Sequence, residues 1–161
     1  PPNIINLLMN KMKKGKHIKV LFHLEQDEDG YPPFSIEGVW CKKTGNGTYI
    51  VDNVPFYTYG ISLGDEICVT KENGEYHFQS IVNPSGNSTL RVHFNDKRMQ
   101  TVINKLFDMG CKVEISNLPS FISINVPQEV SLKEIEDVLT NMQKECERLA
   151  YEHGVVRQNI S

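Results

Sequence analysis

Alternation of apolar and polar residues begins at His17, where Ile18, Val20, Phe22 and Leu24 fall on one side of an extended chain and Lys19, Leu21 and His23 on the other. A period of two over this length predicts a half-buried strand. Phe34, Ile36, Gly38 and Trp40 repeat the rhythm against Ser35, Glu37 and Val39. They predict a second strand with Trp40 as an inward core anchor. The turn Thr44 to Thr48 returns the chain into Tyr49-Ile50-Val51, a hairpin signal. Gly64 to Thr70 reads as turn then strand, and Glu72-Asn73-Gly74 leads into Glu75 to Val82, where Tyr76 and Phe78 alternate with polar neighbours. Five short strands with short connections predict a small antiparallel β-barrel or strongly bent sheet over residues 17–83.

The loop Asn83 to Ser88 is rich in turn residues and marks a domain boundary. Beyond it the period changes. Leu90, Val92 and Phe94 predict a strand, and Asn95 or Asp96 can cap a helix with Met99, Val102, Ile103, Leu106 and Phe107 on one face and Gly110 as its stop. Val113 with Ile115, and Phe121 to Val126, predict two more strands. Ser131-Leu132-Lys133-Glu134 is a capping box, followed by an apolar stripe from Leu132 through Ile135, Val138, Leu139, Met142 and Cys146 to Leu149. Val155-Val156 supplies a short final strand. The resulting order, β-α-β-β-α with a final β, predicts a ferredoxin-like half over residues 84–161 of an α+β protein. In such a half the helices bury one sheet face and leave the other available. Residues 1–16, with two leading prolines and Gly15 near the end, form an N-terminal tail or short helix without assigned function.

The stretch Asp52 to Val69 joins these patterns. It concentrates Pro55, an aromatic triplet (Phe56, Tyr57, Tyr59) and two glycines where the β-domain must close on itself. It is expected to be the structural keystone.

Composition changes this picture mainly through charge. The net charge is -3, yet five of the 17 basic residues lie in the first 19 positions, which hold no acid, leaving 12 basic against 20 acidic groups in the remainder. An acidic body disfavours nucleic acid and attracts cationic partners. The densest acidic run is Glu25-Gln26-Asp27-Glu28-Asp29, a turn ending in Gly30 and two prolines. It resembles a fragment of a calcium loop but lacks the spaced ligands and closing glutamate of an EF-hand, so a solvated turn is expected.

Catalytic and metal patterns are missing. Cys41, Cys68, Cys111 and Cys146 have no C-x-x-C spacing and sit in apolar segments, as core thiols do. His17, His23, His77, His93 and His153 show no metal spacing; His23 and His93 could act as bases but no nucleophile stands beside them. Ser62 lies between Gly60 and Gly64, but in a loop entering a strand and not in a strand-turn-helix elbow. There is no phosphate-binding glycine loop. No cofactor or metal is therefore expected. No apolar run approaches the about 20 residues that span a bilayer, so a cytoplasmic location is the expectation.

The runs K-V-L-F-H-L-E-Q-D-E-D-G-Y-P-P-F-S-I-E-G-V-W, D-N-V-P-F-Y-T-Y-G-I-S-L-G-D and G-N-S-T-L-R-V, followed by the helix and G-C-K-V-E, resemble a family of small bacterial domains of unknown function. The likeness extends from Ile18 to about Val156 and implies no catalytic residues, because the family has no established reaction. The expected function is protein binding without enzymatic activity, specifically an immunity protein that blocks a cognate basic antibacterial toxin, a nuclease by preference, through an acidic surface. Glu25, Asp27, Glu28 and Asp29 are the first expected contacts, with Asp65, Glu66, Tyr57 and Tyr59 beside them. The alternative is a ligand-sensing or nucleic-acid-binding regulatory domain, in which the ferredoxin-like sheet or the aromatic stretch forms the pocket.

Overall fold

The computed structural model of the chain describes residues 17–94, 97–118, 120–146 and 148–158. The expected N-terminal tail and the Asn95 or Asp96 cap lie outside them. The first half is a closed barrel of β1 (His17–His23), β2 (Ile36–Lys43), β3 (Tyr49–Val51), β4 (Glu66–Glu72) and β5 (Glu75–Asn83), paired in sequence order. The β4–β5 turn uses Asn73 and Gly74, both with positive φ, which matches the twist of a tight hairpin. The barrel is not wholly antiparallel as expected. Five strands that reverse direction at each step leave the first and last pointing the same way, so β1 and β5 close the barrel in parallel, with Val20 opposite Tyr76 and Leu21 opposite His77.

Val20, Phe22, Val39, Cys41, Val51, Ile61 and Ile67 fill the interior. This reverses the expected facing of β2. Directly paired residues share a sheet face, and Val20 pairs with Val39 while Lys19 pairs with Trp40. Val39 and Cys41 therefore point inward, Ile36 and Phe34 are exposed, and Trp40 sits half-buried on the outer wall beneath Lys19, whose Nζ lies 5.7 Å from the indole centroid.

The second half contains β6 (Ser88–His93), α1 (Met99–Asp108), β7 (Lys112–Ile115), β8 (Phe121–Val126), α2 (Leu132–Glu145) and β9 (Ala150–Val155). Its sheet runs β7-β8-β6-β9 with every neighbouring pair antiparallel. Leu90, Val92, Ile122, Ile124 and Val126 pack with Val102, Leu106, Leu132, Ile135 and Leu139 of the helices. Ser131 accepts a hydrogen bond from the Glu134 N–H at 3.3 Å, which fixes the start of α2. Gly110, at φ 99, ends α1, while Phe107, expected on the apolar face, is 71% exposed. The stripe expected to run in one helix to Leu149 divides: α2 stops at Glu145, and Cys146 and Leu149 enter the core from the connection to β9.

Every residue of β8 is buried. The sheet face expected to be open is covered instead by the β3–β4 connection, residues 52–65. Thr89, Arg91, Ser123 and Asn125, polar residues in an otherwise apolar alternation, lie under that cover.

Candidate partner-binding face

The β3–β4 connection is held by charges that point at its backbone. Glu37, on β2, accepts hydrogen bonds from the N–H groups of Phe56, Tyr57 and Thr58 at 2.6, 3.1 and 2.8 Å and from the Thr58 hydroxyl at 2.7 Å. Glu114, on β7, accepts from Val54 N–H at 2.6 Å and Asn53 Nδ2 at 2.9 Å. Arg91, fully buried on β6, donates to the carbonyls of Pro55 and Thr58, and its Nη1 lies 3.5 Å from Glu152 of β9. Ser123 donates to the same Pro55 carbonyl at 2.6 Å. A carboxylate gathering several N–H donors and a guanidinium gathering carbonyls each satisfy loop groups that would otherwise be buried unpaired.

The connection ends in a second anchor. Asp65 is buried and accepts from Ser62 N–H and hydroxyl, Ser85 N–H, and both terminal nitrogens of Arg157 at 3.0 and 3.1 Å. Burial alone pushes its pKa up, but the Arg157, Ser85 and Ser62 bonds outweigh it and hold the carboxyl below its ordinary value. Asp65 therefore cannot be the partner contact expected of it. It ties the barrel to the segment after β9. Ser62, buried against Asp65 and Ser85, is likewise structural.

What the pinned loop leaves at the surface is aromatic. Tyr57 borders two clefts. The larger, of about 330 Å³, runs between Trp40 and Glu37 of β2, the loop at 53–57 and the end of β7 at Glu114 to Leu118. The smaller, of about 260 Å³, lies between Phe22, His23, Leu24, Glu25 and Pro32 on one side and Thr58, Tyr59 and Ile61 on the other. Phe34 and Tyr31 pack edge-on to Tyr57 at 5.6 and 6.3 Å between ring centroids. Tyr59, 56% exposed, covers the Arg91 guanidinium at 5.0 Å and donates to Glu152 at 2.9 Å. Burial first, and the nearby Glu37 or Glu152 charge second, raise the phenol pKa values of Tyr57 and Tyr31; for Tyr59, burial is followed by its bond to Glu152.

Three of the expected contacts, Glu25, Tyr57 and Tyr59, thus meet around the smaller cleft. Asp27, Glu28 and Asp29 are exposed on the adjoining β1–β2 loop. Asp27 also accepts from the N–H groups of Asp29 and Tyr31, so its carboxylate shapes the turn. Glu66 is half-buried, with its oxygens bonded by Thr48 and Asn83; those bonds hold its pKa below the ordinary value. His23 stacks on His77, and His93 packs edge-on against Phe121. Among the described residues no group of three His, Cys, Asp or Glu side chains is placed to hold a metal ion. None of their helices is long and apolar enough to cross a membrane.

Glu37, Glu114, Arg91 and Arg157 carry the construction of this face; the first three fall within the runs that carry the family resemblance, but no role could be read from them there. Arg91 and Glu114 each left a signal, as a charge between apolar neighbours in Leu90-Arg91-Val92 and Val113-Glu114-Ile115.

A family model described as a domain of unknown function (DUF4265) matches residues 37–148. A crystal structure of a hypothetical protein from Neisseria gonorrhoeae is similar in fold, with a TM-score of 0.73 and 16% identity over 89% of this chain and 96% of that one. No curated protein matches.

Proposed function

The chain belongs to this family of domains of unknown function, and we propose that it is a non-enzymatic binding domain, an immunity protein that neutralises a cognate basic toxin domain. The observation that carries the reading is the β1–β2 loop, which presents the carboxylates of Glu25, Asp27, Glu28 and Asp29 to solvent beside exposed Tyr31, Phe34 and Tyr59. Aromatic groups at the centre and charge at the rim are the composition of a protein interface. Toxins that cleave nucleic acid need cationic clefts for phosphate, and carboxylates can occupy them. In the same reading the second half is ferredoxin-like, supported by its strand order and by its two helices packing on one face.

The test is a pull-down from the native host followed by binding measurements on the recovered toxin domain. Asp27 is left intact because it shapes the loop, and Glu25, Glu28 and Asp29 are exchanged for Lys. A basic partner whose affinity falls with salt and with this triple exchange supports the reading. A partner bound equally well by the triple variant, or one without basic character, removes it.

A further inference from the structure

We propose that the larger cleft is a binding site for an alkylated ammonium group, the head of a small organic cation. Its walls carry Phe34, Trp40, Phe56 and Tyr57, and its lining includes the carboxylates of Glu37 and Glu114 but no Lys, Arg or His among the described residues. Aromatic faces attract cations through their quadrupole, and quaternary ammonium recognition is a recurrent use of such walls. The volume, about 330 Å³, suits a small molecule.

The hydrogen bonding of the two acids selects the kind of cation. A carboxylate has about four acceptor positions. Glu37 already receives four donors, and Glu114 receives Asn53 and the Val54 N–H. Glu37 keeps its charge with its acceptor positions taken, and Glu114 is bonded to the loop through both oxygens. A guanidinium or primary ammonium entering the cleft would find the acceptor positions of Glu37 already taken, whereas a methylated nitrogen needs none. Trp40 already shows its affinity for positive charge: Lys19 lies over it and across Gly38. That ammonium belongs to the cleft's surroundings and competes electrostatically with an incoming cation.

This site does not depend on the toxin-binding reading and is tested on the isolated chain. Trp40 is the single tryptophan, so its fluorescence reports on this cleft alone. Titration with tetramethylammonium and with choline, at constant ionic strength, is expected to give a saturable change. The neutral isostere 3,3-dimethylbutan-1-ol is expected to bind about tenfold or more weakly. Phe34→Ala, at an exposed position, should weaken choline roughly 2- to 30-fold, and Lys19→Met should strengthen it. A trimethyllysine peptide that binds more tightly than choline assigns the group to a protein side chain, and the reverse order assigns it to a free small molecule. Equal affinity for the neutral isostere, or no saturable response to any of these cations, overturns the proposal.

Discussion

Replacing Glu37 by Gln tests whether the surface aromatics are placed by one carboxylate. Glu37 Oε1 receives Tyr57 N–H, Thr58 N–H and the Thr58 hydroxyl, and Oε2 receives Phe56 N–H at 2.6 Å. Bonds to an ionised acceptor contribute about 1.5–3 kcal/mol each and neutral ones about 0.5–1.5. The amide keeps one oxygen for three donors, which weakens each by about 1 kcal/mol, and turns an NH2 group toward the Phe56 N–H, adding about 1 more. The expected loss is about 4 kcal/mol, a large share of the about 5–15 available to a domain.

Urea denaturation followed by far-UV circular dichroism gives the loss, and amide exchange at Phe56, Tyr57 and Thr58 says whether the loop releases before the barrel unfolds. Thr58→Val, made alone and with Glu37→Gln, gives the charge-dependent part of the hydroxyl bond as a coupling energy of about 1 kcal/mol. A loss below about 1 kcal/mol for Glu37→Gln, with unchanged exchange at the three amides, refutes the pinning role.

The depressed pKa of Asp65 makes stability pH-dependent with a fixed sign. In the acid range the unfolded chain binds the proton first, so the contribution is complete above the ordinary carboxylate value, about 3.9, and disappears as pH falls through the lower folded value. Urea midpoints of the native chain should therefore drop below about pH 4 more steeply than those of Arg157→Gln; parallel profiles would show that the pair does not couple to folding. Asp65→Ala, which leaves Arg157 without its partner, should cost about 3–5 kcal/mol by the same assay. Burial pushes the Cys111 thiol up to about 11, so iodoacetamide at neutral pH should label half-buried Cys68 in the native protein and reach Cys111 only with urea; mass spectrometry that finds Cys111 modified as fast as Cys68 contradicts its burial.

Local pattern made the strands legible and left their facing ambiguous. In β1 the alternation leaves one face wholly apolar, because Lys19 and His23 fall on the other beside Leu21, and that face, with Val20 and Phe22, is the inward one. In β2 both parities are mixed: Ile36 and Trp40 compete with Val39 and Cys41, and the larger apolar surface of tryptophan pulls the reading toward its own side. The register with β1 decides between them, and register is a long-range property. The parallel closure follows from counting strands, but only once closure itself is known. The serine cap at Ser131 was readable because its partner, the Glu134 N–H, lies three residues along the chain. The end of α2 was not, since Cys146 and Leu149 continue the helical spacing while their backbone does not.

The second sheet explains why the site was harder to find than the fold. Thr89 and Arg91 on β6, and Ser123 and Asn125 on β8, alternate with apolar residues in the way that normally marks a solvated face. Here that face receives a loop whose own carbonyls need donors, so burial selected polar residues for it. The stretch at residues 52–65 thus acts as the missing half of that face. Its chemistry is split: carbonyls and N–H groups turn inward to Arg91, Ser123, Glu37 and Glu114, and Tyr57 and Tyr59 remain at the clefts. Charges at this seam are fixed by the loop they hold, so exchanging them alters stability and binding together. The β1–β2 loop has no such duty at Glu25, Glu28 and Asp29, whose side chains stand exposed. For that reason substitutions there can separate recognition from folding, and a lost interaction in such a variant reports on the proposed partner surface itself.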